Sequence, residues 1–146
     1  VESGISNKLF LAWNSPWWGS DKPLDLHIYW KNFNLPKEMD WVMSIVRCSS
    51  TPQRPNMVEM IVTGDASLTM EEMAPEKIIG HLIYFLKRVS KREDIPLPNF
   101  FHRSKWNSNP WTRGSYGSYL TTEGETERGI RSRRSLAPKI IDSRGR

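Results

Sequence analysis

Several features that would identify a chemical class are missing from this sequence of 146 residues. It contains one cysteine, Cys48, so no internal disulfide can form, and a thiol within a half-buried strand pattern favours a reducing compartment. No run of about eighteen apolar residues is present, and the N-terminus shows no signal-peptide pattern. We therefore predict no membrane partner and a cytoplasmic location.

Metal-ligand and nucleotide-binding motifs are also missing. The three histidines are not spaced as H-x-x-x-H, and a single cysteine cannot complete a zinc site, so no metal is predicted. No G-x-G-x-x-G follows a predicted strand. Because that motif forms the phosphate-binding turn of the βαβ unit, we predict that a dinucleotide-binding Rossmann unit is absent from this chain.

Positive charge is distributed unevenly. The formal net charge of +5 would suit a nucleic-acid partner, but residues 1–104 are balanced and residues 105–146 carry the whole excess. One alternative is a non-catalytic protein that binds RNA or DNA through its basic tail. The aromatic residues lie outside residues 125–146, so stacking groups and charge are not interleaved, and no nucleic-acid partner is expected.

Hydrophobic periodicity predicts a sheet followed by a helix. Strands are predicted at residues 7–13, 25–31, 41–48, 58–63 and 99–103, with a hairpin loop at 49–56. From Pro75 to Val89 apolar residues recur at helical spacing, after a proline that suits a first turn. These elements predict an α+β fold in which a mixed, mostly antiparallel sheet of about five strands carries helices on one face.

Composition divides the chain near Gly124. Residues 1–124 have the apolar content of a folded domain. Residues 125–146 contain seven Lys or Arg, three acidic residues and no aromatic residue. We expect this tail to be disordered, because it lacks the apolar side chains that would offset its conformational entropy.

Three segments occur in an order that resembles the flavin amine oxidase family, in particular its spermine and acetylpolyamine oxidases. Asn7–Leu11 with Pro16–Gly19 resembles a strand N-K-[IV]-x-L followed by P-[FY]-W-G. Thr63–Ala66 with Met70–Glu71 resembles G-[DE]-x-A-x-x-[ML]-E. Ser104–Tyr116 is close to S-x-W-x-x-[ND]-P-[WY]-x-R-G-S-Y, a long and specific motif.

The resemblance implies the substrate domain of an oxidase with FAD as cofactor. Such enzymes take a hydride equivalent from the carbon beside an amine nitrogen, and O2 then reoxidises the flavin and yields H2O2. The implied substrates are spermine or N1-acetylated polyamines. The same third motif also resembles flavin-dependent histone lysine demethylases, which remain an alternative.

Lys8 is the catalytic residue that the resemblance implies. Taken alone, a lysine near the end of a strand is an ordinary solvated side chain. Matched to the family motif, Lys8 takes the place of the lysine that holds a water against flavin N5 and can assist flavin reoxidation.

The third motif implies the other site residues. Trp106, Arg113 and Gly114 match positions beside the flavin, where glycine permits close approach. Tyr116 and Tyr119 match aromatic residues that wall the substrate channel, where ring faces can receive an ammonium group.

The chain departs from the family pattern in two ways, an insertion that shifts Tyr119 and a missing segment that suggests an incomplete protein. The family continues its third motif as S-Y-S-Y, whereas Gly117 is inserted here. The family's late G-E-x-[ST] flavin-contact strand is absent, and the chain starts at Val1 rather than at methionine. We therefore expect a fragment that is inactive by itself, from a complete protein for which a peroxisomal location is open.

Overall fold

The structure, a computed structural model, describes residues 3–28 and 30–117. Its strands are β1 (Ser3–Gly4), β2 (Ser6–Ala12), β3 (Asp25–Leu26), β4 (Ile45–Thr51), β5 (Arg54–Thr63), β6 (Phe100–Arg103) and β7 (Tyr116–Gly117). Its α-helices are α1 (Asp65–Glu72) and α2 (Pro75–Ser90), and 3-10 helices cover Trp30–Asn32 and Lys37–Ser44.

The central sheet has five strands in the order β3-β4-β5-β2-β6, and a separate pair joins β1 to β7. Every strand pairing among the described residues is antiparallel. The α+β prediction is confirmed, but the expected mixed sheet is wrong in this part of the chain. The two α-helices connect β5 to β6, and these two strands run in the same direction, so they would form a parallel pair if they were adjacent. Strand β2 lies between them and pairs antiparallel with both.

The two faces of the central sheet differ in burial. Strand side chains alternate between faces, and one set from β2 and β5 is fully buried: Leu9, Leu11, Val58, Met60 and Val62. These residues share one hydrophobic core with the buried side chains of α2: Ile78, Leu82, Ile83, Phe85 and Leu86. We call this side the covered face.

The opposite side of the same strands is only partly buried, and we call it the open face. It carries Lys8, Phe10, Glu59 and Ile61 from the two central strands. On edge strand β6, His102 pairs with Phe10 and is exposed. The open face therefore presents both charged and apolar side chains to its surroundings.

The helix prediction from Pro75 is confirmed by α2, whose ends have clear local causes. Pro75 occupies the first turn, where its missing N–H leaves no helical hydrogen bond unmade. Lys87 and Arg88 lie in the last turn, where cations complement the helix dipole. Lys91 adopts a left-handed conformation with φ of 56° and ends the helix.

The predicted strand at residues 25–31 is wrong beyond Leu26. The chain instead enters the 3-10 helix Trp30–Asn32, and the ring of Trp30 stacks on Phe85 of α2 with centroids 5.6 Å apart. Packing of this aromatic ring on the core thus replaces an extended conformation that the local alternation favours.

The predicted strand at 41–48 is correct only from Ile45 onward. The 3-10 helix Lys37–Ser44 precedes it and buries Met39, Trp41 and Val42. The hairpin loop expected at 49–56 is also shorter, because β4 extends to Thr51 and β5 begins at Arg54. Pairing of β4 with β5 across the hairpin extends both strands beyond their local pattern.

Cys48 lies in the middle of β4 and is fully buried. Burial, with a smaller effect from the negative charge of Asp25, raises the pKa of this thiol to about 12. The thiol is therefore protonated at neutral pH and has the character of a core side chain.

Two predictions reach beyond the described residues. The basic tail at 125–146 lies outside them, as does the end of the predicted domain 1–124. Within residues 3–28 and 30–117, no helix is long and apolar enough to cross a membrane.

Candidate functional site

Lys8 lies on the open face near the start of β2. Strand β2 is flanked by β5 on one side and β6 on the other, so the Lys8 backbone is held within the sheet. Its ammonium Nζ lies 3.2 Å from Oε1 of Glu59 on β5. The Lys8 side chain is 43% exposed and that of Glu59 is 18% exposed, so the ion pair is partly shielded from solvent.

The backbone of Lys8 also contacts the start of the third motif. Its N–H donates to Oγ of Ser104 at 2.8 Å, and the Ser104 N–H donates to the Lys8 carbonyl at 2.9 Å. Ser104 directly follows β6, so these bonds continue the β2–β6 pairing. The first and third motifs, distant in sequence, are therefore adjacent in the fold.

A buried polar cluster around Asn7 connects all three motifs. The Asn7 side chain is fully buried, and its Nδ2 donates to Oγ of Ser67 at 2.8 Å and to Oε1 of Glu71 at 2.6 Å. Its Oδ1 accepts from Oγ of Ser104 at 2.8 Å and from the Trp106 N–H at 3.1 Å. Asn7 thus joins β2, α1 and the loop that follows β6.

Glu71 completes the cluster from the α1 side. Its carboxylate, 4% exposed as a residue, accepts from the backbone N–H groups of Asn107 at 2.9 Å and Ser108 at 2.8 Å. Burial would raise the pKa of this carboxyl, but hydrogen bonds from Ser108, Asn107 and Asn7 outweigh burial and lower the pKa below its ordinary value. A buried anion therefore anchors the loop.

Sequence reasoning assigned no role to Asn7, Glu71 or Ser104, although each belongs to a quoted motif. The available signal was that these polar residues occupy fixed motif positions beside apolar ones. Glu59, the partner of Lys8, belongs to none of the motifs and its alternating position gave no such signal.

The loop from Lys105 to Gly114 is closed by its own hydrogen bonds. The Gly114 N–H donates to the Trp106 carbonyl at 3.0 Å, and the Arg113 N–H donates to the Asn109 carbonyl at 3.0 Å. Arg113 has a φ of 47° and Gly114 a φ of 148°, so the chain reverses sharply here. Gly114 adopts a conformation that L side chains rarely accept.

Three of the residues predicted for the site, Trp106, Arg113 and Gly114, therefore lie in one loop, and this loop contacts β2 through Asn7. Trp106 is 42% exposed and is tied to Asn7, the neighbour of Lys8. Arg113 and Gly114 follow through the closure of the loop on the Trp106 carbonyl. The functional roles assigned to these residues, and to Lys8, remain predictions.

Of the two tyrosines predicted to line the channel, the structure describes only the backbone of Tyr116. The backbone of Tyr116 in β7 lies opposite Gly4 of β1. Tyr119 lies outside the described residues. The substrate-contact roles of both tyrosines remain predictions.

By their chemistry alone, the groups at Lys8, Arg113 and Trp106 suit the ring side of a flavin. A part-exposed ammonium and an exposed guanidinium offer hydrogen-bond donors and positive charge, and a part-exposed indole offers an apolar surface. Within residues 3–28 and 30–117, no strand and helix are joined by a glycine-rich turn that would hold a dinucleotide. In the same residues, no cluster of three His, Cys, Asp or Glu side chains could hold a metal ion.

Comparison with known proteins identifies the family. The family model described as flavin containing amine oxidoreductase matches residues 1–140, nearly the whole chain. This chain therefore belongs to that family, whose members use a flavin cofactor to oxidise amines.

Among the curated relatives is the peroxisomal N(1)-acetyl-spermine/spermidine oxidase of Bos taurus, 30% identical over 125 residues. The match covers 80% of this chain and 24% of that protein. A possible lysine-specific histone demethylase 1 of Drosophila melanogaster is 26% identical over 85 residues, 58% of this chain and 10% of that protein. The chain thus spans about a quarter, or less, of the length of these relatives.

Among solved structures, a triple mutant of putrescine oxidase is similar with a TM-score of 0.52 and 20% identity. The match covers 89% of this chain and 27% of that one. At this identity the likeness concerns the fold alone, an antiparallel sheet with a few helices.

Proposed function

We propose that this chain supplies the Lys8 side of the active site in an FAD-dependent polyamine oxidase. The observation that carries the proposal is the part-exposed Lys8 ammonium on the open face, joined through Ser104 and Asn7 to the third motif. The proposed reaction converts spermine or an N1-acetylated polyamine to an imine, which hydrolyses to an aldehyde, while O2 becomes H2O2. The bovine relative, an N(1)-acetyl-spermine/spermidine oxidase by name, supports this substrate class.

The chain's own residues have separable tasks in this proposal. When bound, FAD accepts the hydride equivalent from the carbon beside the amine. Lys8 holds a water molecule with the N–H donors that Glu59 does not engage, and Phe10 and Ile61 limit the access of bulk water from the open face. Trp106, Arg113 and Gly114 form the cofactor side, and Tyr116 and Tyr119 line the amine channel.

The isolated chain is proposed to be inactive. Its length is about a quarter of that of the curated relatives, and the described residues contain no dinucleotide-binding unit. The expected result is a colourless protein after incubation with FAD and desalting, with no peroxide formed from spermine. A retained flavin spectrum would contradict the proposal of inactivity.

The Lys8 assignment is tested with Lys8→Met in a chimera, where this segment replaces the matching part of a complete polyamine oxidase. Methionine keeps a long side chain but removes the nitrogen that holds the water. Stopped-flow absorbance should show that flavin reoxidation by O2 slows more than anaerobic flavin reduction by spermine, because the water is needed in the oxidative half-reaction.

Lys77→Met is the matched control, since Lys77 is exposed on α2 at the covered side of the sheet. It should leave both half-reactions unchanged. If Lys8→Met changes neither rate by more than about threefold, which is under about 1 kcal/mol of barrier, the catalytic role of Lys8 is wrong.

A lysine demethylase is the second candidate, because the Drosophila melanogaster relative covers more than half of the chain. The lower identity and shorter match place it behind the polyamine oxidase. The same chimera distinguishes the two when spermine, N1-acetylspermine and a methylated lysine peptide are compared by peroxide release. Turnover of the peptide alone would favour the demethylase.

For the partners and compartment, we propose a small polyamine and O2, with no membrane or nucleic acid, in the cytoplasm. The balanced charge of residues 1–104 supports the omission of nucleic acid. Because the bovine relative is named peroxisomal, the peroxisome is the second compartment. Fluorescence microscopy of the tagged complete protein beside a peroxisomal marker distinguishes them.

A further inference from the structure

Glu59 has a shorter and less exposed side chain than its partner Lys8. It lies on β5, which pairs with β4 on one side and β2 on the other. Its side chain is 18% exposed, whereas that of Lys8 is 43% exposed. The carboxylate is therefore the anchored member of the pair, and the longer lysine side chain is the one whose position the contact restricts.

The charged side chain that contacts Glu59 on the open face is Lys8. In register, Glu59 lies between Phe10 of β2 and Ser49 of β4, neither of which carries a charge. Arg47, the nearby cation on β4, donates its Nε to Oγ of Ser49 at 3.0 Å. Among the ion pairs of residues 3–28 and 30–117, Glu59 takes part only in the one with Lys8.

We propose that Glu59 is the positioning residue for Lys8, holding its ammonium over the middle of the open face. An ammonium has three N–H donors, so one contact with Glu59 leaves the others for a water molecule. Without the carboxylate, the flexible four-carbon chain would sample several rotamers and the remaining donors would lose a fixed direction. The relevance to catalysis rests on the proposed function of Lys8, whereas the positioning itself does not.

The positioning is tested on the 146-residue chain through the reactivity of Lys8. An acylating reagent must reach the lysine nitrogen, and the contact with the Glu59 carboxylate restricts that access, so the ion pair should protect Lys8. In Glu59→Gln, acylation of Lys8 by a succinimidyl ester should be about two- to fivefold faster, the range expected from a partly exposed ion pair. Peptide mass spectrometry measures each lysine separately.

Three comparisons separate positioning from a general loss of structure. Lys105 in the same sample is an internal reference and should react at an unchanged rate. Glu72→Gln, at an exposed site on α1, should leave Lys8 protected. Glu59→Asp keeps the charge on a shorter arm and should restore part of the protection, while near-ultraviolet circular dichroism shows whether each variant is folded.

Unchanged Lys8 reactivity in a folded Glu59→Gln protein would overturn the positioning. If Glu59→Gln does not fold, Glu59→Asp decides: faster acylation of Lys8 supports the positioning, and an unchanged rate overturns it. In the chimera, Glu59→Gln and Lys8→Met should slow reoxidation in the same direction, with the double variant no slower than Lys8→Met. Faster acylation of Lys8 in Glu59→Gln, with reoxidation unaltered in both Glu59→Gln and Lys8→Met, would keep the positioning and refute the catalytic role of Lys8.

Discussion

The two faces of the central sheet are built from the same strands but have opposite properties. On β2, Leu9 and Leu11 are fully buried against the core, while Lys8 and Phe10, which alternate with them, lie on the open face. Apolar burial against α2 supplies most of the stabilisation on one side. The residues that stabilise the core and the residue proposed for catalysis are therefore next to each other on one strand, with side chains on opposite faces.

The largest expected loss of stability comes from a substitution on the covered face. Leu9→Ala removes a fully buried side chain and leaves a cavity, so the free energy of unfolding should fall by about 2–5 kcal/mol. Urea denaturation followed by tryptophan fluorescence measures the change. The adjacent Lys8→Met is the control from the open face, with an expected change below about 1 kcal/mol. Similar losses from both would mean that the two faces are not energetically distinct.

An intermediate effect is expected at the buried cluster where the motifs meet. Glu71→Gln replaces an oxygen with an amide donor in a site whose partners, including the backbone N–H groups of Asn107 and Ser108, also donate. The expected loss is about 1–3 kcal/mol. Glu72→Gln, one residue on and exposed, should change stability little.

The same variant has a pH signature. Because the pKa of Glu71 in the folded chain lies below its ordinary value of 4.5, the unfolded chain binds more protons in this range. Its stabilising contribution is complete above pH 4.5 and is lost as the pH falls through the lowered pKa. Urea denaturation at a series of pH values should show a shallower acid decline for Glu71→Gln than for the wild type. Parallel declines would exclude Glu71 as a source of the pH dependence.

The smallest expected effect concerns the ion pair on the open face. A double-mutant cycle of Lys8→Met and Glu59→Gln should give a coupling free energy of about 0.2–1 kcal/mol, since the pair is only partly buried. Added salt should reduce it by screening. A coupling several times larger would assign the pair a structural role like that of the covered face.

Prediction from the sequence succeeded where local pattern and tertiary packing agree. The apolar, β-prone run around Leu9 and the helical spacing from Pro75 predicted β2 and α2, because the core of the fold buries side chains of both segments. Prediction failed at Trp30, whose alternating neighbourhood favours a strand. Its ring contacts Phe85 of α2, and the backbone follows that contact.

The amino-acid sequence by itself determined the apolar run of β2, the alternation of β5, the ends of α2 and the motifs that place this chain among the flavin amine oxidases. These follow from residue order, since side-chain periodicity and turn chemistry act over a few residues. Only the tertiary structure decided that Asn7 meets Glu71, 64 residues away, and that Glu59 is the partner of Lys8. Such contacts depend on which strands become neighbours and in which register, and a shift of one residue would turn Glu59 to the covered face.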